Sequence, residues 1–180
     1  LRKGIQQLVD NGAEGIILDL RGNPGGLLSA TVDVASEFLT NGLVTYEVDS
    51  RGKKDEWKVK KGGHFPEIPM VTLVDNFSAS GSEVLSGALQ DQGRSVVIGT
   101  NTFGKGSVNL LRGLSNGGGV YLTIGRWFTP NGRLIEDVGI EPDVVVEYDA
   151  EALGANPQTN EGGDPQVEAA IKQLDFQVLK

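Results

Sequence analysis

Two stretches of this sequence carry residue types that could do covalent chemistry. Ser80 lies in Asn76-Phe-Ser-Ala-Ser-Gly-Ser-Glu83, just before a helical pattern, and Lys105 lies in Thr102-Phe-Gly-Lys-Gly-Ser107, one strand later. The chain has no cysteine and a single histidine. If it is a covalent hydrolase, a serine must attack and a group other than histidine must activate it. A lysine in a glycine-rich turn is the natural candidate. It acts as a general base only when neutral, and a dry apolar pocket is what removes its charge. Phe103 and the apolar runs Val96–Ile98 and Val108–Leu111 are expected to wall such a pocket.

The small residues around Ser80 let the backbone turn sharply from strand to helix. Such a turn presents a side chain at the C-terminal edge of a sheet, where open α/β sheets place their sites. The Gly81 amide would then face a developing oxyanion at a helix start. Taken alone, serines in this position are more often N-caps and turn formers. Gly22-Asn-Pro-Gly-Gly26 is a second glycine turn whose bare N–H groups could approach a substrate oxygen. Gly99-Thr-Asn-Thr-Phe-Gly-Lys105 matches the first seven positions of a nucleotide P-loop, but the eighth is Gly106 where a Ser or Thr is needed for Mg²⁺. Strand-like residues follow instead of a helix, so nucleotide binding is rejected. His64, in Lys60-Lys-Gly-Gly-His-Phe-Pro66, reads as part of a mobile loop and lacks the rigid support a triad imidazole needs. No His, Asp or Glu spacing suggests a metal site, and no cofactor is expected.

The elements that must position these residues follow from periodicity. Residues 2–11 read as a helix with Ile5, Leu8 and Val9 on one face and Gly12 as its stop. Residues 15–20 read as a buried strand, the glycine turn follows, and Leu28, Val32, Ala35 and Leu39 share a helical face. This order predicts βαβ units and a parallel sheet. Residues 44–48 and 56–60 predict a small exposed hairpin around the basic Arg51, Lys53 and Lys54. Residues 70–74 and 95–99 predict buried strands on either side of a helix over 81–91. Residues 108–111 and 120–124 predict strands joined by Ser115-Asn-Gly-Gly-Gly119, and 144–146 a last short strand. Residues 151–164 read as a linker, and 165–180 as a helix with Val167, Ala170, Ile171, Leu174 and Val178 on one face.

At 180 residues the sequence is long enough for one domain with a real core, with 1–150 as that core. Its net charge of −8, spread along the chain, argues against a general nucleic-acid binder. Leu1 opens inside a helical pattern, so the chain reads as a piece of a longer protein whose targeting segment lies outside it.

Together, Asp19-Leu-Arg-Gly-Asn-Pro-Gly-Gly26, Asn76–Glu83, Gly87-Ala-Leu-Gln-Asp91, Gly99, Thr102–Gly106, Phe128-Thr-Pro130 and Gly139-Ile-Glu-Pro-Asp143 resemble the carboxyl-terminal processing proteases, also called tail-specific proteases. Each piece is weak alone; seven in one order are specific. The resemblance implies a crotonase/Clp-protease-like α/β fold and a serine endopeptidase with a Ser–Lys dyad. It places the nucleophile at the middle serine of three, Ser80 rather than Ser82, and the general base at Lys105. The amides of Gly81 and of the Gly25-Gly26 pair, Gly26 first, would form the oxyanion hole. Many members carry a glutamine four residues after the lysine. Here that position is Asn109, one methylene shorter, on the strand face that residue 105 would share. The resemblance further implies polypeptide substrates, a PDZ domain preceding this core, work in the periplasm or cell envelope, and a peripheral membrane association only through segments outside this sequence. Two other readings are a catalytically silent binding module on the same fold and a crotonase-like acyl-CoA enzyme, which would need neither Ser80 nor Lys105.

Overall fold

The computed structural model describes residues 1–148 and 163–178. In chain order its elements are α1 (Arg2–Asp10), β1 (Ile16–Asp19), α2 (Leu28–Phe38), β2 (Leu43–Asp49), β3 (Lys54–Lys58), β4 (Met70–Val74), α3 (Gly81–Asp91), β5 (Val96–Gly99), β6 (Ser107–Gly113), β7 (Gly119–Phe128), β8 (Val144–Val145) and α4 (Pro165–Val178). They form two four-stranded sheets. One is parallel, in the order β1-β4-β5-β8, and the other is antiparallel, in the order β3-β2-β7-β6.

Every residue of β4 is buried, as expected for a central parallel strand covered on both faces. Its side chains alternate between two apolar clusters. Met70 and Val74 join α2 and α3 through Val32, Ala35, Phe38, Leu85 and Leu89. Val71 and Leu73 face the other way, onto Ala170, Val167 and Leu174 of α4. Residues 167, 170 and 174 are spaced so that one stripe of α4 covers the sheet, while Ile171 and Val178 of the expected face stay exposed. All but the last two residues of the linker expected over 151–164 lie outside the described residues. Among the described residues no helix is long and apolar enough to cross a membrane.

The small exposed hairpin expected over 44–48 and 56–60 is β2–β3, and it continues into the second sheet. Strand β2 pairs with β7 from Tyr46↔Phe128 to Asp49↔Gly125, and the two rings of the first pair stack 5.1 Å apart. Trp57 on β3 meets Trp127 on β7 edge-on at 4.8 Å, and both pack against the cluster that holds α2 and α3. The antiparallel sheet thus shares its core with the parallel one. Strand β6 is one of its two edge strands and carries a register shift between Val108 and Asn109.

Candidate active site

The turns after β1, β4 and β5 all leave the C-terminal edge of the parallel sheet, so residues 20–27, 75–80 and 100–106 meet there. Backbone groups, which must find partners once buried, tie them to one another. The Ala79 amide donates to the Asn23 carbonyl at 3.0 Å, and the Phe103 amide to the Ser78 carbonyl at 3.0 Å. Asp75 accepts from the Gly22 amide at 2.9 Å and from Phe77 and Ser78 in its own turn.

The three serines of the second turn have different tasks. Ser78 is fully buried and donates its hydroxyl to the Leu20 carbonyl at 2.8 Å. Ser82, also buried, donates to the Asn23 carbonyl at 3.0 Å. Ser80, between them, is half-buried and sits at φ 53°, ψ −113° as the N-cap of α3. A non-glycine residue outside the favoured regions costs about 1–3 kcal/mol and persists only where its surroundings impose it. Here Gly25 does so. It has φ +91°, and a Cβ built on it would lie 2.5 Å from both the Ala79 oxygen and the Gly81 nitrogen. Only glycine lets the first turn close over the second.

Of the three glycine amides expected to bind an oxyanion, that of Gly25 is already used: it donates to Asn23 Oδ1 at 2.9 Å. The amides of Gly26 and Gly81 make no hydrogen bond within the described residues. They are neighbours, since a Cβ on Gly81 would stand 3.1 Å from the Gly26 nitrogen. A groove of about 320 Å³ runs beside them, lined by Ala30, Val34 and Leu85 among others.

Lys105 follows in the third turn, its backbone joined to Ser80 through Glu83. The Glu83 Oε2 accepts from the Ser80 amide at 2.8 Å and from the Lys105 amide at 2.9 Å. One oxygen therefore holds both residues, and their backbones stand no further apart than two hydrogen-bond lengths.

The profile of peptidase family S41 matches residues 1–146. The chain belongs to peptidase family S41. It is 39% identical over 170 residues to the carboxyl-terminal-processing protease of Synechocystis sp., covering 94% of this chain and 39% of that protein. It is 36% identical over 145 residues to the chloroplastic carboxyl-terminal-processing peptidase 3 of Arabidopsis thaliana, covering 80% of this chain and 28% of that protein. The solved photosystem II D1 C-terminal processing protease superposes with a TM-score of 0.77 at 38% identity, over 81% of this chain and 38% of that one. The chain thus spans about two-fifths or less of the length of these S41 relatives.

Three expectations need correcting on this S41 core. The dry pocket around Lys105 is not there: Lys105 is exposed, and Phe103 is 64% exposed and points to solvent. The cause is topological, because β6 is an edge strand and cannot wall the turn that precedes it. Asn109 does not bond to Lys105. Its Nδ2 donates to Ser107 Oγ at 3.0 Å, and its Oδ1 accepts from Thr123 Oγ1 at 2.8 Å. Strand β6 begins only at Ser107, and the register shift before Asn109 breaks the alternation that would have put residues 105 and 109 on one face. His64 is a fixed group: its Nδ1 pairs with Glu37 Oε2 at 2.9 Å. Glu37 is near the C-terminal end of α2, about 14 Å along the helix from the Gly26 turn, so His64 is not brought to Ser80.

Two residues escaped the sequence reading. Glu83 is fully buried, and its signal was the Ser-x-x-Glu spacing of a capping box at residues 80 and 83. Asp75 binds the first turn to the second, and only the register of β1 beside β4 brings it near Gly22. The other matched pieces support the site from behind. A Cβ on Gly87 would touch Thr129 and Ile140 at 2.9 and 3.0 Å, and the Ile140 amide donates to Thr102 Oγ1 at 2.7 Å.

Proposed function

We propose that this chain is the catalytic core of a serine endopeptidase that cuts polypeptides near their C-terminal tails. One observation carries the reading: a strained Ser80 and Lys105 are held by the same carboxyl oxygen, beside two adjacent unpartnered amides. Ser80 Oγ attacks the scissile carbonyl while neutral Lys105 Nζ takes its proton. The amides of Gly26 and Gly81 stabilise the oxyanion, helped by the N-terminus of α3. Lys105 then returns the proton to the leaving amine, and water hydrolyses the acyl-enzyme by the same route. Gly25 shapes the hole rather than lining it, since its amide is taken.

The exposure of Lys105 assigns a task to the substrate. A peptide laid across the three turns would cover the lysine and exclude water, the condition under which a lysine gives up its charge. Leu27, Phe77 and Phe103, one from each turn and all strongly exposed, offer that peptide apolar contacts. We place substrate selection in a PDZ domain outside these residues and the work of the protein outside the cytoplasm.

Ser80→Ala and Lys105→Ala should each lower the cleavage of fluorescein-labelled casein by the intact natural protein at least about 1,000-fold. Lys105→Arg should be equally inactive, because a guanidinium cannot become neutral. An active Lys105→Arg variant would remove the general-base role. The exposure of Lys105 and the other partners of Asn109 favour a second reading, the silent binding module. A fluorophosphonate decides between them: labelling at Ser80 supports the peptidase, and none supports the module.

A further inference from the structure

We propose that Glu83 is a positioning residue that sets Ser80 and Lys105 against each other; the inference rests on the dyad reading above. Its carboxyl group is fully buried and accepts four hydrogen bonds. Oε2 takes the Ser80 and Lys105 amides at 2.8 and 2.9 Å, and Oε1 takes the Gly104 amide at 2.6 Å and the Thr102 hydroxyl at 2.7 Å. Among the described residues no lysine, arginine or histidine forms an ion pair with it. Four donors and the N-terminus of α3 take the place of a counter-charge.

A helix cap alone does not need this. A capping box asks the glutamate for one bond, to the N-cap amide, and such residues ordinarily stay in water. Three of the four donors here come from residues 102–105, the turn that carries the lysine. The arrangement therefore fixes the nucleophile turn and the base turn to one anchor, and two oxygens account for every lone-pair direction. Misplacement of reacting groups by 1 Å can cost about 100-fold in rate, so an anchor common to both groups acts on catalysis as well as on folding. Glutamine in its place keeps the shape but turns one oxygen into an NH₂ group. Either way round, an N–H then points at a backbone N–H, of Ser80 and Lys105 or of Gly104.

The test is a double-mutant cycle in the intact natural protein, with fluorescein-labelled casein as the probe and rates divided by the folded fraction from circular dichroism. Glu83→Gln is expected to lower kcat about 100-fold with KM changed less than about twofold. In the Lys105→Ala background the same change is expected to have almost no further effect, because the geometry it disturbs no longer matters. A kcat near the original, or single effects that multiply in the double variant, would overturn the proposal and leave Glu83 a structural residue. If Glu83→Gln does not fold, Thr102→Val enters the same cycle under the same criteria, with about a tenfold loss expected for one bond of four. A Lys105→Ala protein with full activity would overturn the dyad itself and the positioning role with it, so the single variant that keeps its rate tells the two failures apart.

Discussion

Ser80 is held where a serine rests badly, and the groups that hold it are its neighbours in space. The strain at φ 53° is balanced by the Glu83 bond to its amide and by the close fit of Gly25 over the turn. A methyl group on Gly25 would have to displace the Ala79 oxygen and the Gly81 nitrogen, both 2.5 Å away. Gly25→Ala is therefore expected to part the turn of residues 20–27 from the turn that carries Ser80 and, on the proposed mechanism, to lower kcat about 100-fold or more, while thermal unfolding of the domain shifts far less. Steady-state kinetics beside a melting curve measure both. Ser82→Ala should behave oppositely. It loses one buried hydrogen bond to Asn23, about 1 kcal/mol of stability, with only a modest effect on rate, which separates it from Ser80→Ala.

At the scale of elements, the N-terminal ends of α2 and α3 point their turns at the site, and their far ends are fixed by other means. Glu37, at the end of α2, takes the guanidinium of Arg2 from α1 and the imidazole of His64. The hydrogen bond from Arg2 first, then that from His64, lowers the Glu37 carboxyl below its ordinary value, against the opposing effect of burial. A carboxyl lowered in the folded state contributes stability above its unfolded pKa and loses it as pH falls through the folded one. Glu37→Gln should thus lower Tm at pH 7, and the difference should shrink as pH falls below about 4; melting curves across that range check the sign. Strand β6 has a different limit. Its one paired side is occupied by β7, and Asn109 is used in that pairing through Thr123. Asn109→Ala is expected to keep kcat within about threefold and to loosen the β6–β7 arm, readable as faster amide exchange there.

For the molecule as a whole, β4 separates the two apolar clusters and ends at the turn that carries Ser80, so stability and the proposed catalysis meet there. Leu73 is fully buried on the α4 side. Leu73→Ala should cost about 2–5 kcal/mol, seen as a large drop in Tm, while the folded fraction keeps its rate because the turn is anchored from the other face by Asp75, Asn23 and Glu83. A parallel loss of kcat per folded molecule would show that α4 docking also sets the site. Gly99 and Gly106 bound the third turn at the same edge, so all three turns inherit their spacing from the strands of one sheet.

Strand and helix periodicity in the sequence was enough to predict the parallel sheet, because its strands are short apolar runs and two of them, β1 and β4, are each followed by a turn and a helix. The glycine turns and the order of seven short motifs marked Ser80, Lys105, Gly25, Gly26 and Gly81 as candidates, and the fold brings the three turns that carry them to one sheet edge. These are local properties: backbone freedom, apolar alternation and residue type are written within a few positions. The pairing of β2 with β7, the Asn109–Thr123 bond and three of the four bonds of Glu83 join residues 14 to 83 positions apart, and the exposure of Lys105 depends on which strand lies at an edge. Burial and hydrogen-bond pairing are properties of neighbours in space, so only the tertiary structure decided which amides stayed unpartnered and which carboxyl group ties the Ser80 turn to the Lys105 turn.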